Sequence, residues 1–234
     1  MKQIIKSDIE PQALVDYREA STIDGVLVNY TWNSFQNPWK NQYKEYLLQE
    51  QGFICAYCMQ TITASDMKIE HLRPRHSCIT EAEKLDHSNM VAVCKGINDT
   101  DHHCDTRRGE VRPIISQLLN VLPTQMNPNC EEVTIFDGED LKSIPNNILI
   151  ETDINKKLNL NCNYLKTARN VTEQGFIEGM IEKAINSGIT WTIELLQEQL
   201  NMILQIGVPV DHRRFNRFCL VEANVINQKI ANLG

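Results

Sequence analysis

The 234-residue chain lacks a run of some 18 apolar residues, the length on the order of which a membrane-crossing helix needs, so no span is expected. Its opening MKQIIKSDIEPQ has no apolar core before a small-residue cleavage site, so no secretory leader is expected and the cytoplasm is the expected compartment. It has no basic surplus: 23 Lys and Arg stand against 30 Asp and Glu, a formal net charge of −7. Phosphate contacts dominate nucleic-acid affinity, so tight autonomous binding to nucleic acid is disfavoured, while a local basic site or a basic partner stays open. Internal repeats and low-complexity tracts are absent, and no aromatic stacking module of the RNA-recognition type is visible.

What the chain does have is cysteine: eight of them, five between Cys55 and Cys104. In the expected reducing compartment such a cluster points to metal rather than to disulfides. CAYC (55–58) puts two thiolates on one tight turn, half of a tetrahedral zinc site. Cys94 and Cys104 are the candidates for the other half, separated by KGINDTDHH, a connection longer than usual but of surface-loop composition. His102 or His103 in place of one thiolate, and a thioredoxin-like dithiol, are the rival readings; the second lacks its βαβ setting. Cys78 is a weaker ligand candidate, and Cys130, Cys162 and Cys219 read as small buried apolar residues. A site closed by four thiolates stabilises a fold and leaves no position for water, so any chemistry must come from elsewhere.

Three regions follow along the chain. Residues 1–52 carry PWKNQYKEYLLQEQG, with apolar residues at helical spacing and Gly52 as a stop. Residues 53–113 hold the Cys and His cluster and read as β segments in FICAYC, MKIEHLRP and NMVAVC, then a short helix from about Asp105 to before Pro113. Residues 114–234 read as mainly helical in ISQLLNVL, in LKTARNVTEQGFIEGMIEKAIN, in WTIELLQEQLNMILQIG and in RRFNRFCLVEANVINQKIANL, with a hairpin in EEVTIFDGEDLKSIP turning at Asp137-Gly138. The expected fold class is α+β and mostly α-helical, with a small ββα unit between helical flanks.

Between the cysteine half-sites lie Glu70, His71 and Asn89, and Asp105 follows Cys104. On a strand Glu70 and His71 point to opposite faces unless the strand ends there, and Pro74 favours an end. His76 is ambiguous; Arg73 or Arg75 beside it could meet phosphate. His87 reads as a surface residue, His102 and His103 as exposed loop residues, and His212 in DHRRFNRF as part of a solvated, basic helix face.

The order CAYC (55–58), IEHLRP (69–74), SNMVAVC (88–94), CDTRRG (104–109) resembles the HNH, or ββα-metal, nucleases. QGFICAYC (51–58), TWNSF (31–35) and KLNLNCNYLKTAR (157–169) make the likeness closer to the PtuB-type HNH proteins of Septu and retron anti-phage systems, over most of residues 30–170. Asp105 stands where that superfamily often has His, Arg108 where Lys is common, and the Cys94–Cys104 knuckle is long.

The resemblance implies a zinc-stabilised HNH core at residues 53–113, with Cys55, Cys58, Cys94 and Cys104 on structural Zn2+. It implies His71 as general base, Asn89 orienting it or adding to the metal site, and Glu70 with Asp105 on a catalytic Mg2+ or Mn2+. Arg73, Arg107 and Arg108 would touch nucleic acid. The implied activity is metal-dependent endonucleolysis of DNA as a defence effector controlled by a PtuA-type ATPase docked on the C-terminal helices; a retron reverse transcriptase and its nucleic acid are further implied partners. The alternatives are the same chemistry on RNA such as host tRNA, and a non-catalytic zinc-stabilised interaction module.

Overall fold

A computed structural model describes residues 1–97, 101–112 and 116–234. Helix α1 (Gln12–Ala20) starts after Pro11 and leads through the short hairpin β1 (Thr22–Ile23) and β2 (Val26–Leu27) to α2 (Trp39–Glu50). Helix α2 buries Tyr43, Leu47 and Leu48 on one face, as its spacing predicts. It stops where Gly52 turns left-handed at φ +64°; a Cβ there would lie 2.5 Å from the Phe215 ring. Only glycine meets both demands, and the close approach seats the C-terminal segment on the end of α2.

The centre of the molecule is a ββα unit. Strand β3 (Met67–His71) pairs antiparallel with β4 (Met90–Cys94), in a register that sets Glu70 against Val91 and His71 against Met90. Helix α3 (Glu81–Lys84), capped by Thr80, lies in the connection. Every residue of β4 is buried, and α4 (Cys104–Glu110) closes the unit. Beyond it come the hairpin β5 (Thr134–Asp137) and β6 (Asp140–Ser143), then α5 (Ile148–Thr152), which runs into a π-turn at Asp153–Lys157. Helices α6 (Asn163–Ser187), α7 (Ile193–Leu204) and α8 (Cys219–Leu233) complete the chain, with α7 packed on α8. The fold is α+β and mostly helical, and among the described residues no helix is long and apolar enough to cross a membrane.

Several expectations need correction. FICAYC is a turn carrying only an isolated bridge, Ile54 to Thr61, because the cysteine knuckle bends the chain where a strand would have to run straight. The described part of ISQLLNVL, residues 116–122, is not helical. The buried carboxylate of Asp153 takes the backbone N–H groups of Asn120 and Val121, which a helix would need for its own ladder. Residues 213–216 form neither helix nor strand, and His212 ends a 3-10 turn. The β5–β6 register opposes Asp137 to Asp140, so the two turn residues are Gly138 and Glu139, one place later than expected. Pro113 lies outside the described residues.

One buried cluster draws on all three sequence regions, from Met1 through Tyr57 and Val91 to Ile226. Cys130, Cys162 and Cys219 are buried free thiols within it; burial pushes Cys130 up to about 11 and Cys219 up to about 12. A polar network ties the N-terminal segment to this core. Lys6 Nζ meets Glu50 Oε2 at 2.5 Å and the Met90 carbonyl at 2.9 Å. His87 Nε2 donates to Glu50 Oε1 at 2.9 Å, and its Nδ1 lies 2.9 Å from Tyr43 Oη. His87 is therefore buried, not a surface residue, because Glu50 and Tyr43 on α2 supply partners that its neighbours in sequence do not reveal.

Candidate metal centre and cleft

The four cysteines meet. Cys55 and Cys58 come from the turn after α2, Cys94 ends β4, and Cys104 opens α4. Their sulfurs all lie within 4.8 Å of one another, with Cys55–Cys104 at 3.9 Å and Cys58–Cys94 at 3.7 Å. A tetrahedral zinc with Zn–S bonds of about 2.3 Å requires sulfurs about 3.8 Å apart, which the Cys55–Cys104 and Cys58–Cys94 separations match, so the set could hold a structural zinc. Burial opposes ionisation of Cys55, Cys58 and Cys104, yet hydrogen bonds from Cys104, Cys58 and Cys94 hold Cys55 well below the ordinary thiol range while Cys58 and Cys104 are pushed up. A metal bound by the four sulfurs would take the place of the thiol protons.

The long knuckle closes through Gly96. Its φ is +65°, and a Cβ would fall 1.9 Å from the His103 carbonyl oxygen. His103 N–H donates back to the Gly96 carbonyl at 2.9 Å. His103 is buried, not exposed as its loop composition suggested, with Nδ1 3.2 Å from Cys104 Sγ and its ring stacked on Tyr164. It lies against the sulfurs as a hydrogen-bond partner and replaces none of them. His102 is half-exposed and its ring bonds Glu110.

On the other side of the ββα unit is a cleft of about 410 Å³, lined by Glu70, His71, Arg75, His76, Asp105 and Arg112 among others. His71 ends β3 and is almost fully buried. Its Nε2 lies 2.8 Å from the Lys84 carbonyl, which can only accept, so Nε2 carries the proton. Nδ1 then holds the lone pair, and no protein donor meets it among the described residues. Burial above all, with the positive charges of Arg75 and Arg108, pushes the imidazole down to about 4, so it is neutral at physiological pH. The Trp32 ring packs edge-on against it at 4.5 Å.

Glu70 and Asp105 are neighbours. Burial and the Asp105 charge raise Glu70 to about 7, against the pull of Arg108. Arg108 takes Oε1 of Glu70, and Lys68 takes Oδ2 of Asp105 at 2.8 Å. Each carboxylate thus keeps one oxygen without an amine or amide donor among the described residues. Two adjacent carboxylates, each with an oxygen to spare, suit a hard divalent cation. They supply two protein ligands; among the described residues the four cysteines form the one cluster of three or more groups close enough to share an ion.

The arginines divide. Arg108 was expected at nucleic acid, but it is buried and its guanidinium is fully engaged inside the protein. Besides Glu70 it donates to the Tyr57 hydroxyl at 3.1 Å and to the carbonyls of His71 at 2.8 Å, Leu72 and Gln117. It is a strap that binds α4 to the end of β3, and the fork geometry that suits phosphate is used on backbone carbonyls instead. Arg73 is half-exposed and pairs with Glu83, and Arg107 pairs with Glu110; neither lines the cleft. Asn89 is not bonded to His71. It clamps the backbone of Arg73, accepting from its N–H at 2.6 Å and donating to its carbonyl at 3.1 Å, and so sets where the chain leaves β3.

Besides Arg108, whose donors are used inside the protein, the cations lining the cleft are Arg75 and Arg112, and His76 lines it too. Arg75 lies over the Trp32 ring at 5.5 Å. Of the two RPRH arginines read as able to meet phosphate, Arg75 lines the cleft and Arg73 does not; Arg112 and Trp32 had no such signal. Comparison with known protein families and with curated proteins finds no match to this chain.

Proposed function

We propose that the chain is a metal-dependent HNH-type endonuclease that hydrolyses phosphodiester bonds of DNA. The observation that carries this reading is the state of His71: neutral, fixed through Nε2–H on the Lys84 carbonyl, with an unpartnered Nδ1 in the same cleft as the Glu70–Asp105 pair. Phosphodiester hydrolysis needs a base for water, a counter-charge for the departing oxygen, and cations that hold the phosphate. His71 accepts the proton of the attacking water at Nδ1, and the Lys84 carbonyl keeps the ring oriented as its charge develops. Arg75 and Arg112 hold the phosphate oxygens. Glu70 and Asp105 would bind Mg2+ or Mn2+, which when bound stabilises charge on the leaving oxygen. The cysteine centre would hold Zn2+ and lock the Cys55–Cys58 turn, β4 and α4 together.

The biological role that goes with this reading is an anti-phage effector of Septu or retron type, kept in check by a PtuA-type ATPase. A net charge of −7 favours delivery of substrate by such a partner. The test is co-purification with the ATPase, then incubation with Mg2+ or Mn2+ and plasmid DNA or total tRNA. Plasmid cleavage that falls by a factor on the order of 10² to 10⁴ in His71→Ala is expected. Cleavage of tRNA alone would keep the mechanism and move the substrate to RNA. Undiminished cleavage by His71→Ala would remove His71 as the base.

A further inference from the structure

A cavity larger than the His71 cleft lies elsewhere: a groove of about 910 Å³ between α6, α7 and the segment 214–217 that leads into α8. Three cations line it: Lys183, Arg214 and Arg217. None of them meets a carboxylate at ion-pair distance among the described residues; they lie instead over the rings of Trp191, Phe53 and Phe218. The one acid in the lining, Glu222, is buried and hydrogen-bonded by Asn216, so it does not neutralise them. In a chain with an acidic surplus, three cations left without counter-charge beside aromatic rings are out of proportion to the whole.

The floor of the groove is α6, and it carries Gly175 and Gly179 one turn apart. Glycine is a poor residue for a helix interior and is usually kept there by a close neighbour. Here a Cβ at either position would meet nothing within 4 Å, and neither has a positive φ. No protein atom requires them. What they keep is open space, bounded by Phe176 and Trp191.

We infer that this groove binds a single-stranded nucleic acid, with unpaired bases against the aromatic rings and phosphates on Lys183, Arg214 and Arg217. Ring faces joined to unneutralised cations match a strand whose bases are exposed, and a duplex presents no such faces. The inference does not rest on the reading of the His71 cleft, because it concerns binding and not cleavage.

The test is fluorescence anisotropy of a labelled oligo-dT strand of about twenty nucleotides, with the zinc-loaded full chain carrying His71→Ala and no added divalent cation, so that no strand is cut. Saturable, salt-sensitive binding is expected. Gly179→Leu, which fills the floor, and the double variant Lys183→Ala/Arg217→Ala should each weaken it about tenfold or more, and the double variant should lower the salt slope by about 1.4. Thermal unfolding of Gly179→Leu no lower than that of the parent shows that its helix is intact. Binding unchanged in both variants, no saturable binding, equal affinity for a duplex of the same length, or preferential binding of a Glu-rich peptide would each overturn the inference. If strand binding is lost in the groove variants while the enzyme with intact His71 still fails to cut, the groove stands and the nuclease reading alone falls.

Discussion

The ββα unit and the helical region around α6–α8 treat charge in opposite ways. In the first, the ionic groups that tie the unit together are paired: Arg108 faces Glu70 and three carbonyls, and Lys68 faces Asp105. In the second, Lys183, Arg214 and Arg217 lie over rings and meet no carboxylate among the described residues, Arg217 adding only long hydrogen bonds to Thr172 and the Ala168 carbonyl, and two glycines border unfilled space. A group paired inside the protein holds structure together, because leaving it alone in low dielectric is costly. A group left unpaired at a concave surface contributes nothing to the fold and remains available to a ligand.

The sharpest way to break this comparison is to strip the four cysteines of the zinc that they would hold. Structural zinc contributes on the order of 10 kcal/mol in small zinc domains. Chelation, or Cys94→Ser, should therefore lower the unfolding midpoint by more than about 10 °C, since each kcal/mol moves a chain of this size by about 2–4 °C. Because Cys55 and Cys94 belong to the same buried cluster as α8, the helical region should melt with the centre rather than survive it. A metal-free chain with an unchanged midpoint would mean that the four sulfurs hold no structural ion.

Next in size is Arg108→Ala, which leaves Glu70 and three carbonyls without their donor and should cost about 3–5 kcal/mol in chemical denaturation. Lys183→Ala in the groove should change stability by less than about 0.5 kcal/mol. Equal effects of the two substitutions would erase the distinction between paired and unpaired cations.

A pH series sharpens the comparison with two glutamates: Glu50 of α2, bonded to His87 just ahead of β4, and Glu222 of α8. Burial pushes the Glu50 carboxyl up, but the hydrogen bond from His87 and the charge of Lys6 outweigh it, and its pKa lies below the ordinary value. Its contribution is present above the unfolded value of about 4.5 and is lost as pH falls through the folded value. Burial raises Glu222 with only Asn216 opposing. Its effect has the reverse sign: the folded state favours the protonated acid, and stability declines as pH rises from about 4.5 through the raised value. Glu50→Gln should therefore destabilise at pH 7, and Glu222→Gln should stabilise there; thermal melts of the two variants at pH 4 and pH 7 check both signs.

A small gain is expected of Gly175→Ala. With nothing near the added methyl, it should stabilise α6 by about 0.5–1 kcal/mol. A loss of stability would mean that the space beside α6 is not open.

Much of the fold was readable from local pattern. The apolar spacing of Tyr43, Leu47 and Leu48 places α2, and the longer periodic runs place α6, α7 and α8. ISQLLNVL failed because its backbone donors answer to Asp153, more than thirty residues away, and no local pattern carries that. FICAYC failed for the opposite reason: the cysteine turn overrode the β propensity of its neighbours.

By itself the sequence determined the cysteine set, since CAYC with Cys94 and Cys104 leaves few other ways to complete a tetrahedral site. It determined the β3–β4 pair and the presence of Glu70, His71 and Asp105 beside it. Tertiary structure decided the protonated nitrogen of His71, which depends on the Lys84 carbonyl, and the inward turn of Arg108, which a string of charges would place at the surface. It also decided which cations reach the cleft and which stand unpaired along α6. Spacing along a chain fixes which atoms can share a short turn or a strand face. The pairing of charges is settled only when distant elements bring their partners, because a charge interacts with whatever lies within a few ångströms, whatever its place in the chain.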